Sequence, residues 1–208
     1  MKINILKKAY RVNRIFLIIT LFFSLFILSN CSSQEINEIE KSKQWAIPVE
    51  VKGLDNFHKV SETLFRSAQP TREGMEKAEE LGIGTVISLR SKQKDIELAE
   101  NTDLKLIHVS MRAWNPRYED AVKVMQLLNP DNLSANEKPI LIHCYHGADR
   151  TGMMVALYRM VYQNWEREEA LSEMLNGGYG YHSMWKDIVA FIKEVDVEQL
   201  KKDSQINK

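Results

Sequence analysis

Short apolar runs alternate along this chain with longer segments in which apolar residues recur every three or four positions. Four of the runs have the length and the Val, Ile and Leu content of buried strands: residues 60–66, 85–89, 105–110 and 139–142. The longer segments are typical of helices, and the one that follows Thr71 ends at Gly82. Because strand and helix alternate, the pattern predicts an α/β fold whose mostly parallel sheet of about four to five strands is covered by helices on both faces.

Four helices are predicted in the second half of the chain, at residues 118–128, 151–165, 168–176 and 184–195. The segment 151–165 is apolar around most of its circumference, so we expect it to be buried at the centre of the fold. Residues 49–197 are therefore predicted to form the folded domain. We interpret residues 31–48 as a polar tether and residues 198–208 as a tail that frays.

The first 30 residues differ in character from the rest of the chain. Five basic residues and no acidic one precede residue 15, and residues 15–28 are apolar except for Thr20 and Ser24. As a helix this apolar run would reach only about 21 Å, which is short of a hydrocarbon core of roughly 30 Å. A basic start followed by a short apolar run is typical of a secretory signal peptide, and we expect residues 1–30 to act as one.

Cys31 closely follows this apolar run, and the arrangement resembles a bacterial lipobox. The resemblance implies cleavage before Cys31 and attachment of lipid to its thiol. The domain would then be tethered to the membrane on the non-cytoplasmic side, in the periplasm or at the cell surface. Asn30 departs from the small residue usual before that cysteine, which leaves a retained signal anchor as the alternative. The one other cysteine is Cys144, so lipidation of Cys31 leaves it without a disulfide partner.

The composition excludes one class of partner. With 44% apolar and 27% charged residues, the chain has the make-up of an ordinary soluble domain. Five of its 28 basic residues and none of its 28 acidic residues lie before residue 31, so the remainder carries a net charge of −5. A nucleic acid is therefore not an expected partner.

The residues that carry candidate chemistry follow the last predicted strand. Between that strand and the apolar helix the chain reads His143-Cys144-Tyr145-His146-Gly147-Ala148-Asp149-Arg150-Thr151-Gly152. A loop that curls back over a helix start directs its N–H groups at one point, where the helix dipole favours an anion. We call residues 144–150 the anion loop. In such a loop Cys144 would be held as a thiolate, Arg150 would grip two oxygens of a phosphoryl group, and Thr151 would donate a hydrogen bond to the sulfur.

This string resembles the signature of the cysteine-dependent protein-tyrosine phosphatases, His-Cys, five residues, Arg-Ser/Thr-Gly. The similarity extends over residues 56–192, and through residues 64–70 and 82–90 it is strongest to the compact atypical dual-specificity branch. It implies a three-layer α/β/α phosphatase fold, no metal, no cofactor, and hydrolysis of a phosphomonoester through a phosphocysteine on Cys144. It also implies a substrate-binding loop made of Tyr145, His146, Gly147, Ala148, Asp149 and Arg150.

The leaving oxygen needs a proton donor, and the sequence offers two candidates. In the resembled family an aspartate on a loop usually supplies this proton, but by length its position falls near Arg112, which cannot act as an acid. Asp149, directly before Arg150, is the first candidate, and Asp120 at the start of the 118–128 helix is the second. The alternatives are structural: Asp149 could pair with an arginine or cap the helix, and Asp120 could complement the helix dipole.

Several other side chains could shape the site. We expect His143 to orient the anion loop through hydrogen bonds to the backbone, and His146 to face substrate or solvent. Arg112, Arg117 and His182 could meet further phosphates on an inositol ring, although such residues are more often surface ion pairs.

More than one function remains open at this point. The leading hypothesis is a monomeric, membrane-tethered phosphatase that acts on a phosphorylated protein or on a phosphorylated inositol or lipid. A metal centre of His143, Cys144 and His146 is disfavoured, because adjacent strand residues point to opposite faces. The alternative of another class is a catalytically silent module that binds phosphate. The arginine near the usual aspartate position motivates it, whereas the intact Cys144, Arg150 and Thr151 argue against it.

Overall fold

The computed structural model describes residues 44–130 and 138–205. Residue contacts divide the chain into two units, Met1–Gln44 and Trp45–Lys208. The predicted signal segment, Cys31 and most of the tether lie outside the described residues, so the interpretations placed on them stay predictions. Within the described ranges, no helix is both long and apolar enough to span a membrane.

Six strands form one sheet: β1 (Ile47–Pro48), β2 (His58–Lys59), β3 (Leu64–Ser67), β4 (Thr85–Ser88), β5 (Lys105–His108) and β6 (Ile140–His143). Their order across the sheet is β1-β2-β3-β6-β4-β5. The strands β3, β6, β4 and β5 are parallel, whereas β1 and β2 add an antiparallel edge. The predicted mostly parallel sheet is confirmed, with six strands instead of about four to five. Sequence reasoning missed β1 and β2 because two residues are too few to carry a periodic pattern.

The described helices are α1 (Arg72–Glu80), α2 (Asp95–Leu98), α3 (Tyr118–Leu128), α4 (Asp149–Gln163), α5 (Arg167–Asn176), α6 (Lys186–Glu194) and α7 (Val197–Gln205). The predicted bounds of α3 are confirmed. Thr71 caps α1 as expected, because its hydroxyl accepts a hydrogen bond from Gly74 N at 3.0 Å. α1 stops before Gly82, whose φ of +86° is a left-handed conformation that glycine adopts without strain.

Helices cover both faces of the sheet, which confirms the predicted three-layer arrangement. Side chains alternate along β6: Ile140 and Ile142 belong to the larger apolar cluster, and Leu141 belongs to the smaller one. The larger cluster packs α3 to α7 against one face, and the smaller cluster packs α1 against the other. Every residue of α4 from Thr151 to Val161 is buried. The anion loop is therefore mounted on a helix that is fixed by the core.

The C-terminal segment corrects one prediction. The described part of the tail expected to fray, residues 198–205, belongs instead to the helix α7, in which Leu200 and Ser204 are buried. Asp203 of the same helix accepts a hydrogen bond from the Tyr118 hydroxyl at 2.9 Å. Its polar composition suggested a solvated tail, but the few buried side chains recur at helical spacing and pack on the domain.

The domain also begins earlier than predicted. Ala46 is buried, and its backbone N–H donates a hydrogen bond to Glu173 Oε1 at 2.7 Å. The two residues that follow form β1. The last residues of the predicted tether therefore belong to the sheet, because a distant carboxylate and the edge of β2 provide hydrogen-bond partners that local composition does not reveal.

Candidate active site

The anion loop lies at the carboxyl edge of the sheet, between β6 and α4. Because β3, β6, β4 and β5 are parallel, their carboxyl ends meet at this edge, where Ser67 and Ser88 are both paired with His143. The loop backbone turns into α4 at Asp149, so the positive end of the helix dipole lies at the loop. This arrangement confirms the predicted order of strand, loop and helix.

Gly147 determines the shape of the anion loop. Its φ is +72°, and a Cβ atom built on it would lie 2.5 Å from the Ser67 carbonyl oxygen, so a larger residue does not fit. The carbonyl of Gly147 accepts a hydrogen bond from Arg66 Nη2 at 2.6 Å, and that of Tyr145 accepts one from Gln69 N at 3.1 Å. β3 and the segment after it therefore hold the loop in place.

Arg66 places a buried positive charge beneath the loop. Its guanidinium carbon lies 3.7 Å from the centre of the Tyr179 ring, a distance typical of a cation–π interaction. Complete burial lowers the pKa of Arg66 to about 10, so the side chain is still charged at neutral pH. This charge interacts with the Cys144 sulfur and adds to the field that favours a thiolate there.

A cavity of about 300 Å³ opens in front of the anion loop. Its wall is made of Ser91, Met111, Ala113, Trp114, Tyr145, His146, Asp149, Arg150, His182, Met184 and Trp185. Among the described residues Arg150 is the single arginine or lysine in this wall. Its Nη1 atom donates hydrogen bonds to Leu89 O at 3.3 Å and Met111 O at 3.4 Å. These two carbonyls orient the guanidinium that is predicted to hold phosphoryl oxygens.

Neither Cys144 nor Thr151 is among the described residues that line this cavity. Cys144 is a free thiol with 1% of its surface exposed, and Thr151 is completely buried. The Thr151 hydroxyl has no hydrogen-bond partner within the described part of the chain. A buried hydroxyl without a partner is unfavourable, so this hydroxyl is open to a hydrogen bond with a bound group; the predicted hydrogen bond to the sulfur stays a prediction.

Asp149, the first candidate for the proton donor, lies in the cavity wall beside His182. Its Oδ1 atom accepts a hydrogen bond from His182 N at 2.9 Å. The Nδ1 atom of His182 lies 3.1 Å from Oδ1 and 3.0 Å from Oδ2 of the same carboxyl group. The partner of Asp149 is therefore a histidine on the segment between α5 and α6, and not an arginine or the end of its own helix.

His143 connects the anion loop to α2. Its Nδ1 atom lies 3.0 Å from Cys144 O, and its Nε2 atom lies 2.9 Å from Asp95 Oδ2. Burial alone would raise the pKa of Asp95, but hydrogen bonds from His143 and Gln69 outweigh it and lower that pKa. The ring of His143 therefore lies between a backbone carbonyl and a buried carboxyl group. This contact to the loop backbone is the one expected of His143.

Known proteins resemble this chain in sequence. Residues 40–191 match the family model described as a DSP-PTPase phosphatase fused to NAD+ kinase. The chain is also 34% identical over 161 residues to the dual specificity protein phosphatase TpbA of Pseudomonas aeruginosa, a match that covers 77% of this chain and 71% of TpbA. The chain belongs to the dual-specificity protein-tyrosine phosphatases. It is a cysteine-dependent phosphatase, as the anion loop predicted.

Two solved structures share the fold of this phosphatase. A crystal structure of P. aeruginosa TpbA in complex with pTyr gives a TM-score of 0.69 at 29% identity, and the match covers 78% of this chain and 97% of that one. The core catalytic domain of the PP-IP phosphatase SIW14 from Saccharomyces cerevisiae gives a TM-score of 0.62 at 26% identity, with 76% and 96% covered. Both comparisons confirm the predicted phosphatase fold.

The second candidate for the proton donor lies outside the cavity wall of the phosphatase. Asp120 is in the first turn of α3, where Arg117 Nε and Nη2 donate hydrogen bonds to its two oxygens at 2.9 and 2.7 Å. A carboxylate in this position complements the helix dipole. The structure therefore places Asp120 in the structural role that was its alternative, and Asp149 in the cavity.

The cationic cluster expected for an inositol ring does not form at this cavity. The guanidinium carbon of Arg112 lies 5.9 Å from the ring centre of Trp114, and Arg117 is paired as described above. Of the three residues expected to meet further phosphates, His182 alone lines the cavity among the described residues. Among the residues that the structure describes, Arg150 is therefore the one permanently charged cation in the cavity wall.

Most of the anion-loop residues that were predicted from sequence to bind substrate face the cavity. Four of the six residues predicted to bind substrate line the cavity: Tyr145, His146, Asp149 and Arg150. Gly147 and Ala148 are buried behind them and offer backbone groups. Arg66 and Asp95 were missed. The resembled segment 64–70 includes Arg66, but nothing in that segment marks the side chain as buried.

Proposed function

We propose that this phosphatase removes the phosphoryl group of phosphotyrosine in proteins through a covalent intermediate on Cys144. The thiolate attacks phosphorus, so that an S–P bond forms and the P–O bond to tyrosine breaks, while the leaving oxygen takes a proton from Asp149. Water then attacks phosphorus, Asp149 accepts its proton, and the S–P bond breaks to release inorganic phosphate. Arg150 holds the phosphoryl oxygens in both steps, and Thr151 donates a hydrogen bond to the departing sulfur.

One observation carries this mechanism. Arg150 and Asp149 both line a single cavity at the loop that begins with Cys144. Positive potential from the α4 dipole and from Arg66 converges on that loop. A cavity with one phosphate-holding cation and one carboxyl group, at a loop whose first residue carries a free thiol, brings together the groups that the two steps need.

The aromatic wall of the cavity supports phosphotyrosine as the substrate. Trp114 and Trp185 lie with their ring centres 6.1 Å apart, and both line the cavity together with Tyr145. Such a wall can pack against the flat ring of a phosphotyrosine side chain. Because Arg150 is the one permanent cation described there, the cavity is suited to a single phosphoryl group. The relative TpbA has itself been solved in complex with pTyr.

A phosphorylated inositol is the second candidate. The relative SIW14 is named an inositol diphosphatase, and its catalytic core shares this fold. In the present cavity His146 and His182 could approach a second phosphate. These two side chains are weaker anion ligands than arginines, since they are charged only when protonated.

A substrate panel tests the proposal. We expect kcat/KM for a phosphotyrosine peptide to exceed that for a phosphoserine peptide and for an inositol pyrophosphate by at least about tenfold. Cys144→Ser should abolish turnover and retain binding of inorganic phosphate. Highest activity on the inositol substrate would favour the second candidate. Absence of turnover in the wild type, including turnover of p-nitrophenyl phosphate, would leave a silent phosphate-binding module.

We also infer that the phosphatase is exported and held at the membrane through Cys31, where it acts as a single copy. The basic start, the short apolar run and the position of Cys31 support the location. Metabolic labelling with a fatty acid should mark the wild type and not Cys31→Ala. Unlabelled wild type that still fractionates with membranes would indicate the retained anchor.

A further inference from the structure

Three side chains that bind transition metals meet at the wall of the cavity. His146, Asp149 and His182 each offer one ligand atom, and these atoms all lie within 4.8 Å of one another. They come from the anion loop, the first turn of α4 and the segment before α6. We propose that this cluster binds one divalent transition-metal ion of the Zn²⁺ class, and that the bound ion inhibits the phosphatase.

The distances already resemble those of a coordination shell. Two ligands at Zn–N and Zn–O bond lengths of about 2.0–2.1 Å in a tetrahedral site are about 3.3 Å apart. The Nδ1 atom of His182 lies 3.0 and 3.1 Å from the two oxygens of Asp149. An ion can therefore replace the proton between these groups with little movement of either side chain.

His146 completes the set by rotation of an exposed ring. Its ring centre lies 5.0 Å from that of His182, while its backbone carbonyl accepts a hydrogen bond from Asn56 Nδ2 at 2.9 Å. The same Asn56 amide donates to Tyr179 O at 2.9 Å, on the segment that leads to His182. Asn56 thus fixes the backbones that carry both histidines, and the His146 side chain stays free to turn towards the ion.

The chemistry of the donors favours zinc over magnesium or calcium. Two imidazole nitrogens and one carboxylate oxygen suit Zn²⁺ and its neighbours, whereas Mg²⁺ and Ca²⁺ require mostly oxygen ligands. The His182 N–H that donates to Asp149 Oδ1 is the kind of outer hydrogen bond that orients a ligating carboxylate. Three protein ligands leave a fourth position for water or for an oxygen of bound phosphate.

Inhibition follows from the identity of one ligand, and this part rests on the proposed function. Asp149 is the proposed proton donor, and a carboxylate bound to a metal ion cannot carry that proton. A metal at this position also narrows the cavity in front of Arg150. Substrates whose leaving group needs a proton should therefore be affected more strongly than p-nitrophenyl phosphate, whose nitrophenolate leaves without one.

Calorimetric titration with ZnCl₂ tests the site without any turnover. The full chain with Cys31→Ser and Cys144→Ser has no thiol, so zinc binding to sulfur cannot contribute. We expect one Zn²⁺ per chain, and affinity at least about tenfold weaker when His146→Asn or His182→Asn is added. His108→Gln, in a histidine outside the cluster, is the matched control and should bind as before. Equal affinity in all variants, or no binding at all, would overturn the proposal.

Inhibition is measured separately on the wild type with a phosphoserine peptide and with p-nitrophenyl phosphate. Saturating Zn²⁺ should reduce the rate of hydrolysis of the peptide at least about tenfold more than that of p-nitrophenyl phosphate. The concentration that halves the rate should rise in His146→Asn, with each variant compared with its own metal-free rate. Zinc binding to the thiol-free protein without inhibition of the wild type would overturn the inhibitory role, whereas the metal site itself would stand. An inactive wild type would contradict the proposed function and leave the calorimetric result unaffected.

Discussion

The Nε2 atom of His143 lies 2.9 Å from the Oδ2 atom of Asp95, and both side chains are completely enclosed by the fold. Because His143 Nδ1 contacts Cys144 O, one imidazole connects α2 to the backbone of the proposed nucleophile. Gln69 Nε2 donates to the other oxygen of Asp95, and Arg90 Nη1 donates to Gln69 Oε1. The position of the anion loop therefore depends on a chain of polar groups that runs across the carboxyl edge of the sheet.

Asp95→Asn should lower the free energy of unfolding at pH 7 by about 2 kcal/mol, because a charge-assisted hydrogen bond is lost. The pKa of Asp95 is lowered in the folded protein. Its stabilisation is therefore present above the ordinary value of 3.8 and is lost as the pH falls through the lower folded pKa. Urea unfolding at pH 7 and pH 3 should show the difference from wild type shrinking at low pH. Glu97→Gln, in an exposed residue of the same helix, is the control; a constant difference for Asp95→Asn would contradict this account.

Asp149→Asn should slow hydrolysis of a phosphoserine peptide about 100-fold and that of p-nitrophenyl phosphate less than about tenfold, because nitrophenolate leaves without a proton. Steady-state kinetics on both substrates measures the contrast. Asp120→Asn is the competing variant, since it removes the other carboxylate considered for this role. Equal slowing of the two substrates by Asp149→Asn, or the contrast appearing in Asp120→Asn instead, would take the proton-donor role from Asp149.

Gly147→Ala should destabilise the domain by about 3 kcal/mol and reduce kcat at least about tenfold, since it combines a left-handed φ with a clash against Ser67. Gly178→Ala separates the two effects. Gly178 has a φ of +79°, and a Cβ there meets nothing within 4 Å, so its cost should be about 1 kcal/mol with kcat unchanged. Thermal unfolding and steady-state kinetics compare the two variants. Equal losses of stability and of kcat in both would refute the clash.

Glu173→Ala should cost about 3–5 kcal/mol of stability, because the buried charge of Arg159 would lose the carboxylate that neutralises it. Arg159 donates to both oxygens of Glu173 at 2.8 Å, and Glu173 Oε1 also accepts hydrogen bonds from Ala46 N and the Tyr179 hydroxyl. Glu168→Ala, at an exposed position of the same helix, should change the free energy of unfolding by less than about 0.5 kcal/mol. Urea denaturation compares the two, and similar losses would show that the buried pair is unimportant.

The parts of the fold that could be predicted from sequence are those whose signal is local. The bounds of α3 followed from the spacing of its apolar residues and from the proline after it. β1 and α7 could not be predicted, because each depends on a distant partner. Ala46, before β1, bonds to Glu173, and Asp203 of α7 accepts from Tyr118. Neither partner is visible in the sequence around the segment itself.

The candidate site likewise has parts that could be predicted from sequence and parts that could not. The anion loop could be recognised because its chemistry is carried by contiguous residues. Its supporting contacts join residues far apart in the chain: Arg66 and Gly147 are separated by 81 positions, Asp95 and His143 by 48. Such pairs are brought together by the parallel strand order, which the alternation of helix and strand does not specify.

The two indoles beside the cavity give this molecule a native optical reporter. Trp114 is 57% exposed and Trp185 lies next to it, so a ligand that enters the cavity changes the polarity around both chromophores. Occupancy can then be followed through intrinsic emission, with no dye attached. The readout also applies to Cys144→Ser, in which a phosphorylated peptide would stay intact long enough for its affinity to be recorded.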